Sequence, residues 1–336
     1  MTTIGTSVTL LDVAKRKDPD GKTAKIAEVL TQTNEILEDM TWMEANDGSS
    51  NISTLRKSIP AATWRLLNYG VAGSKSVTGQ VTDTCGRLEA RSEVDEAILD
   101  LNPDPAGFRL SEDLAHMEGM NQGVSTALIY GNTNTNPEQF FGLSPRFATP
   151  SDDDEEIGFN MIDGGGSGSD NTSVWLVGYG DSTCHGIYPK GTKAGIEHND
   201  IGREAIRDSN GRVYYAQVSQ FIWRCGLVVR DWRYLVRICN IDVSNLLSGV
   251  GAADLITAMI RATERIPSLS FAKMSFLGNR AVRSALRRQI IAKSNVNLTY
   301  DTVAGKRVMA FDGIPFRRTD AILNTETAVT GTFASE

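Results

Sequence analysis

The sequence predicts an α+β protein, in which helices and strands occupy separate stretches of the chain. Three features indicate this class. A thin, Ser/Thr-rich pair of β-leaning segments comes early, a long helix follows it, and a β-rich stretch over residues 173–243 leads into a helix–strand–helix unit. The 336 residues are enough for one large domain or for two to three smaller parts.

Helical spacing marks the N-terminal segment. Between Thr23 and Met40 the apolar residues are Ile26, Val29, Leu30, Ile36, Leu37 and Met40. This spacing places them on one face of a helix. An apolar stripe at the end of a chain must be buried against another surface.

The next stretch predicts one long hairpin with a flexible tip. β-leaning segments over about Ile52–Leu67 and Ser76–Val94 flank the turn-forming sequence NYGVAGSKS. Their apolar content is thin, and a two-stranded ribbon is only marginally stable alone. The hairpin therefore needs a partner surface, for which another subunit is the natural candidate.

A long helix is predicted from about Ser111 to Tyr130. Ser111 is the expected N-cap, and two acidic residues follow it in the first turn, where the helix dipole favours anions. Asn121 interrupts its apolar stripe, and Gly119 and Gly123 are unfavourable residues within a helix. A Gly/Asn-rich loop comes next, and residues 150–173 read as an acidic, Gly/Ser-rich linker or surface loop.

The β-rich stretch contains two candidate strands, SVWLVGYG and FIWRCGLVVRDWRYLVRICNI. Four arginines break the apolar run of the second: Arg224, Arg230, Arg233 and Arg237. One face of this sheet is therefore expected to meet water or another subunit.

Two helices then flank a short buried strand. The first helix is AADLITAMIRATERI, the strand is KMSFLGN, and the second helix is RAVRSALRRQIIAKS. The second helix carries four arginines on one broad side: Arg280, Arg283, Arg287 and Arg288. They could contact nucleic acid phosphates, but without interleaved aromatic residues we favour ion pairs at a subunit interface.

The C-terminal stretch AFDGIPFRRTDAIL predicts a tight hairpin. Asp312 and Gly313 form the turn between two β-leaning segments, and Pro315 lies near the start of the outgoing strand, where a missing donor is tolerable. Arg317 and Arg318 should point to opposite faces. We expect one to pair within its own domain and the other at a subunit contact.

Charge is unevenly distributed along the chain, whose net charge is −7. Residues 1–200 hold 15 Lys and Arg against 30 Asp and Glu, whereas residues 201–300 hold 15 against 6. One interpretation is that an acidic part of the chain contacts a basic part, within one subunit or between subunits. The other is that the charges lie on solvated faces and in internal ion pairs. The sequence shows no signal peptide and no membrane-spanning stretch, and the four separated cysteines are expected to be reduced.

No catalytic or metal-binding constellation emerges. The three histidines, His116, His185 and His198, lack partners at metal-ligand spacing, and structural roles are favoured for them. The Gly-rich run Asp163–Gly168 matches neither a P-loop, a dinucleotide fingerprint nor a nucleophile elbow. The acidic run Ser151–Glu156 lacks the spacing of a calcium loop. We therefore predict that the chain is not an enzyme and binds no cofactor or metal.

Several stretches, in order along nearly the whole chain, carry a family resemblance. They are TLLDVAKRKDPDGK, TQTNEILEDMTWMEAN, PAATWRLLNYGV, YGNTNTNPEQFFGL, HGIYPKG, VRICNID and FDGIPFRRTDAIL. Together they resemble the major capsid proteins of tailed bacteriophages with the Hong Kong 97-type fold, and within these the short-tailed, epsilon-15-type branch.

The resemblance implies a division of the chain into five parts. Residues 1–50 would be an N-terminal arm, 51–92 the extended E-loop, and 93–150 a P-domain with a spine helix over about 106–131. Residues 151–305 would form an A-domain with some P-domain strands at about 215–240. Residues 306–336 would return a strand to the P-domain and end in a tail.

It also implies partners. The chain would assemble with itself into pentamers and hexamers of an icosahedral shell around double-stranded DNA, which it contacts non-specifically. A portal and a cement or decoration protein would be further partners of the shell, and no membrane would take part. Because only about 50 residues precede the E-loop, we expect a separate scaffolding protein. Shells would form in the host cytoplasm and stay non-covalent. Candidate contact residues are Trp64, Arg65, Tyr69, Lys75, Arg280, Arg283, Arg287, Arg317 and Arg318.

Two other functions remain open at this point. An encapsulin-like compartment would share the fold but enclose a protein cargo. A soluble hydrolase would use an unrecognised site around Asp163–Asp170 and His185.

Overall fold

The computed structural model describes residues 32, 34–58, 60–208, 210–249, 253–292, 298–303 and 306–334. The predicted amphipathic helix over residues 23–40 falls mostly outside them. Within the described part, helix α1 covers only Ile36–Asp39, and the chain is extended from Met40 into strand β1, Trp42–Glu44.

The other elements follow in chain order. The early ones are β2 (Ser50–Ser58), β3 (Val77–Thr84), β4 (Gly86–Asp95), α2 (Glu96–Asp100) and α3 (Pro105–Tyr130). The central ones are β5 (Met161–Asp163), β6 (Asn171–Tyr179), β7 (Cys184–Tyr188), β8 (Ile196–Arg207), β9 (Val213–Val229) and β10 (Leu235–Asp242). The last ones are α4 (Val243–Ser248), α5 (Leu255–Glu264), β11 (Lys273–Gly278), α6 (Arg280–Ala292), β12 (Leu298–Val303), β13 (Lys306–Phe311) and β14 (Ile314–Arg318).

The chain divides into two compact units. The first contains, among described residues, 32, 87–125, 195–208 and 210–224. Its β8–β9 hairpin is antiparallel, with a register shift between Asp200 and Gly202. A small apolar cluster of Val94, Ile98, Leu99 and Phe108 joins the end of β4 to α2 and the start of α3.

Ion pairs link the elements of this first unit. Arg203 Nε lies 2.8 Å from Glu96 Oε2, and its guanidinium lies 4.1 Å from the ring of Tyr215. Arg91 reaches Glu204 at 2.7 Å. Exposed ion pairs of this kind each contribute less than about 1 kcal/mol to stability. They therefore orient the β8–β9 hairpin more than they stabilise the fold.

The second unit is built around strand β6, in which all nine residues are buried. β6 runs antiparallel to β11 and to β10, and β11 is parallel to β14. β13 and β14 form the C-terminal hairpin. A central strand that is covered on both faces needs an almost continuous apolar sequence, as SVWLVGYG provides.

The two faces of β6 have different partners. Val174 and Leu176 point into the main apolar core, which helices α5 and α6 complete with Met259 and Leu286 among others. On the opposite face, the ring of Trp175 meets Phe147 edge-to-face with centroids 5.6 Å apart. This division fixes which side of the sheet the helices cover.

The predicted long helix is confirmed, although it starts at Pro105 and not at Ser111. Asp104 Oδ1 accepts a hydrogen bond from the Gly107 backbone N–H at 2.9 Å, and Pro105 occupies the first turn, where its missing N–H is not needed. Ser111 is therefore inside the helix. Gly119 is accommodated at an exposed position with open space around it.

Three further predictions need correction. Residues 150–173 are not simply a linker, because Ile157–Asn160 form a 3₁₀ turn and β5 pairs in parallel with β10. The second candidate strand is in fact two strands, β9 and β10, which a 3₁₀ turn separates. Asp231 caps this turn, because its Oδ1 accepts a hydrogen bond from the Arg233 N–H. The early hairpin pairs only β2 with β3, and the chain at residues 60–76 is not strand.

Candidate assembly surfaces

The tip of the early hairpin exposes apolar side chains. Over residues 60–75 every side chain is exposed, including Trp64, Leu67 and Tyr69. Asn68 adopts a left-handed conformation with φ of 69°, and Ser74 Oγ donates to the Ala61 carbonyl at 2.9 Å, which folds the tip back on itself. Large apolar side chains gathered on one exposed segment mark an interaction surface.

Two of the predicted contact cations lie on the same tip. Arg65 and Lys75 are exposed and make no ion pair with any described residue. Charged residues around an apolar patch are the usual rim of a protein interface. The structure therefore brings together four of the predicted contact residues on this tip, the other two being Trp64 and Tyr69.

The base of the hairpin is tied to the rest of the second unit by a buried ion pair. Arg146 Nη2 donates to Asp83 Oδ1 at 2.6 Å, and both side chains are buried. The same guanidinium also donates to the carbonyls of Gly142, Phe141 and Leu227. This buried ion pair and these hydrogen bonds tie the base of β3 to the loop that follows α3 and to β9.

The predicted arginine face of α6 is only partly available. Arg280 pairs with Asp320 at 3.3 Å, and Arg288 donates to the carbonyls of Leu246 and Leu247 at 2.8 Å. Arg288 thereby satisfies carbonyls at the C-terminal end of α4. Arg283 and Arg287 have no polar partner among the described residues, so they are the members of the set that remain open to an outside partner.

Arg317 and Arg318 both have partners within the chain. Arg317 forms two hydrogen bonds to Asp39, Nε to Oδ2 at 2.6 Å and Nη2 to Oδ1 at 3.0 Å. Arg318 pairs with Asp320, while its backbone N–H donates to Glu35 Oε2 at 3.1 Å. The two side chains point to different partners, as strand alternation predicts.

Asp39 is an ionised group that sequence reasoning missed. Its side chain is 2% exposed, and Lys273 Nζ approaches it at 2.7 Å beside Arg317. Burial alone would raise the pKa of this carboxyl, but the hydrogen bonds from Lys273 and Arg317 outweigh burial and lower it. The helical spacing of residues 23–40 gave Asp39 no special role, because its partners lie more than 230 residues away.

A second buried ion pair joins the C-terminal tail to β10. Arg237 was expected on a sheet face that meets water or another subunit, but its side chain is 5% exposed and that of Glu326 is 7% exposed. Arg237 Nη2 donates to Glu326 Oε2 at 3.0 Å, Nη1 donates to the Phe147 carbonyl at 2.7 Å, and its guanidinium lies 5.3 Å from the ring of Trp175. Arg237 therefore lies inside the second unit.

Asp163 and His185, from the candidate hydrolase region, both occupy structural positions. Asp163 Oδ1 accepts from the Gly165 N–H at 3.0 Å and from Asn240 Nδ2 at 2.9 Å, which makes it a turn-forming residue. His185 is buried in β7, paired across from Val228, and burial followed by the Arg230 charge lowers its pKa. The described residues contain no group of His, Cys, Asp and Glu side chains suited to a metal ion.

The structure also shows the state of the cysteines and the character of the described helices. Cys184, Cys225 and Cys239 are buried and Cys85 is half-buried, and none of the four is bonded to another. No described helix combines the length and apolar character needed to cross a bilayer.

The extended hairpin, the long helix α3 and the mixed sheet with its covering helices together define a capsid protein of the Hong Kong 97-type fold. The model of the family described as "Major capsid protein GP7" matches residues 18–330. The chain belongs to this family of bacteriophage major capsid proteins, whose place is the shell of the virion.

One solved structure supports this assignment. The chain is 36% identical to a chain in the structure of bacteriophage Epsilon15, with a TM-score of 0.76 over 98% of this chain and 99% of that one. Two others have TM-scores below 0.5. The capsid of bacteriophage JBD30 has 11% identity, coverage of 94% and 99%, and a TM-score of 0.49. The SrpI encapsulin of Synechococcus elongatus has 14% identity, coverage of 70% and 97%, and a TM-score of 0.41. No curated protein matches the sequence.

Proposed function

We propose that the chain assembles into pentamers and hexamers of an icosahedral shell around double-stranded DNA, and that the hairpin tip holds neighbouring subunits together. The exposed apolar tip carries this proposal. Burying a single side chain such as Trp64 or Leu67 is worth about 1.5–3 kcal/mol, and the described chain offers these side chains no cover. A neighbouring subunit supplies such cover in a shell of identical chains.

The remaining contact residues have separate roles in this proposal. Arg65 and Lys75 form the polar rim of the tip contact, and Arg283 and Arg287 of α6 form a second contact. Arg280, Arg317 and Arg318 each form an ion pair within the chain. If they also contact a neighbouring subunit, they do so while they keep these ion pairs. The division into arm, E-loop, P-domain and A-domain at the boundaries given above is part of the same proposal.

The wider assembly also belongs to the proposal. We infer assembly in the host cytoplasm on a separate scaffolding protein, a portal at one vertex, and a cement protein on the outside. Packaged DNA touches the shell through non-specific contacts with phosphates. The chain has no catalytic role in this scheme, in keeping with the turn-forming use of Asp163 and the burial of His185.

Electron microscopy with sedimentation of the purified protein tests the proposal. Closed particles with nuclease-protected DNA from infected cells are expected. Particles that enclose a protein cargo and no DNA would favour the compartment function. A protein that stays monomeric or forms only small oligomers, with scaffolding protein present, would overturn shell assembly altogether.

A further inference from the structure

We propose that Arg283 and Arg287 on α6 bind the acidic turn Asp152–Glu156 of a second copy of this chain. The inference rests on the proposed shell assembly and names one contact within it. Two charged surfaces of opposite sign lie on the second unit, and neither is neutralised by the described part of the chain.

The basic surface is held on a rigid helix. Val282, Ala285 and Leu286 anchor α6 in the core, and Asn279 Oδ1 caps its start by accepting from the Val282 N–H at 3.0 Å. Arg283 and Arg287 are four residues apart, so they lie one turn apart on the same side of the helix.

The side chains of these two arginines have no polar partner among the described residues. The Nε atom of Arg283 is buried and finds no acceptor among the described residues, and Arg287 is exposed with no ion pair there. Two like charges one helical turn apart destabilise each other, so a carboxylate from outside the described chain that reaches their accessible nitrogens would stabilise both arginines.

The acidic surface is also held in a defined shape. Asp153 Oδ1 accepts from the Glu155 N–H at 2.9 Å, and the Asp153 carbonyl accepts from the Glu156 N–H at 3.1 Å. The following 3₁₀ turn is fixed to β10, because Asn160 Nδ2 donates to the Leu235 carbonyl at 3.0 Å. This segment is therefore a hydrogen-bonded turn whose C-terminal end is tied to β10.

The five consecutive carboxylates of this turn are all exposed, and none pairs with a described cation. Like charges held this closely repel one another, so a cation from outside would relieve the repulsion. Preorganised groups lose little conformational freedom when they bind.

A second copy of the chain fits both surfaces at once. Each copy carries one basic face and one acidic turn, so a head-to-tail contact can repeat around a closed ring. Packaged DNA could neutralise the arginines, but it would leave the five carboxylates unpaired. Charge complementarity therefore favours the second copy as the occupant.

A charge-swap experiment tests the contact. The variants are Arg283→Glu with Arg287→Glu, Asp154→Arg with Glu155→Arg, and all four substitutions together. Lys193→Glu with Arg212→Glu is the control matched to the arginine reversal, since it lowers the net charge by the same amount at two other exposed cations. Sedimentation measures the fraction of protein in rings and shells, and thermal unfolding confirms that each variant folds.

Each double reversal at the contact should reduce the assembled fraction by about tenfold or more, the effect of about 1.4 kcal/mol per contact. The fourfold swap should restore assembly, and the control should assemble as wild type does. Normal assembly of the arginine reversal, failure of the swap to restore assembly, or normal shells that lose only their DNA would each overturn the proposal. Failure of the wild-type chain to assemble at all would instead count against the proposed function.

Discussion

Arg317 on β14 forms a bidentate ion pair with Asp39, which lies 278 residues earlier at the end of helix α1. The Arg317 side chain is 18% exposed and the Asp39 side chain is 2% exposed. Lys273 on β11 reaches the same carboxylate. The buried carboxylate of Asp39 thus links helix α1 to β14 and β11, two neighbouring strands of the second unit.

Replacing Arg317 with Met should destabilise the protein by about 3 kcal/mol, because the Asp39 carboxylate stays buried with only Lys273 beside it. Chemical denaturation of wild-type and variant protein measures the difference. The double variant Asp39→Asn with Arg317→Met removes both charges and should recover part of the loss. An unchanged free energy of unfolding in the single variant would show that the pair does not fasten this segment.

The same pair predicts a dependence on pH. The folded pKa of Asp39 is lowered from its ordinary 3.8, so its contribution to stability is fully present above pH 3.8 and is lost as the pH falls through the folded pKa. The gap in unfolding free energy between wild type and Arg317→Met should therefore narrow in strong acid. A gap that stays constant from neutral pH to about pH 2 would contradict this linkage.

Glu326→Gln should loosen the C-terminal tail. It leaves the buried Arg237 without a carboxylate, at a cost of about 3 kcal/mol, and it weakens the bonds from Ser173 and Tyr130 to the same side chain. Carboxypeptidase digestion measures release of the tail. Glu264→Gln, on an exposed position of α5, is the matched control. Equal digestion rates for the two variants would refute a locking role for Glu326.

A glycine inside α3 and the glycine that follows its last residue should respond oppositely to alanine. A Cβ on Gly119 would meet nothing within 4 Å, so Gly119→Ala should stabilise the helix by about 0.5–1 kcal/mol. A Cβ on Gly131 would lie 2.5 Å from the carbonyl oxygens of both Ala127 and Phe140, so Gly131→Ala should cost about 2–3 kcal/mol. Thermal unfolding distinguishes them, and a stable Gly131→Ala protein would contradict the packing of this turn.

Trp64→Ala with Leu67→Ala should impair assembly without changing the stability of the subunit. Both side chains are exposed, so their loss leaves no cavity in the chain, but it removes about 3–6 kcal/mol of burial at a subunit contact. Sedimentation and thermal unfolding give the two readouts. Exposed Leu247 on α4, replaced by Ala, is the control. If the double variant forms normal shells, the hairpin tip is not an assembly contact.

The cysteines should react slowly with thiol reagents until the protein unfolds. Burial raises the pKa of the Cys85 thiol to about 11 and those of Cys184, Cys225 and Cys239 to about 12. Since the thiolate is the reactive form, labelling at pH 8 should be about a hundredfold slower in native than in denatured protein. Rapid labelling of native protein would show that these sites open readily.

The sequence by itself determined the elements whose signals are local. Apolar runs and helical spacing predicted β6, the long helix α3, and the helix–strand–helix unit around β11. The Asp312–Gly313 pair predicted the final hairpin, in which both residues have positive φ and Phe311 pairs with Ile314. The early hairpin was predicted as well, but its strands are shorter than expected, because residues 60–76 are not strand.

The tertiary structure decided how charged residues are used. Arg237 and Arg224 look alike in sequence, but Arg237 is buried against Glu326, which only the path of the tail brings near, whereas Arg224 pairs with Glu197 across the β8–β9 hairpin. Asp39 likewise acquires its role from Arg317 and Lys273. An ion pair depends on the distance between atoms and not on spacing along the chain, so sequence patterns cannot predict which charges will meet.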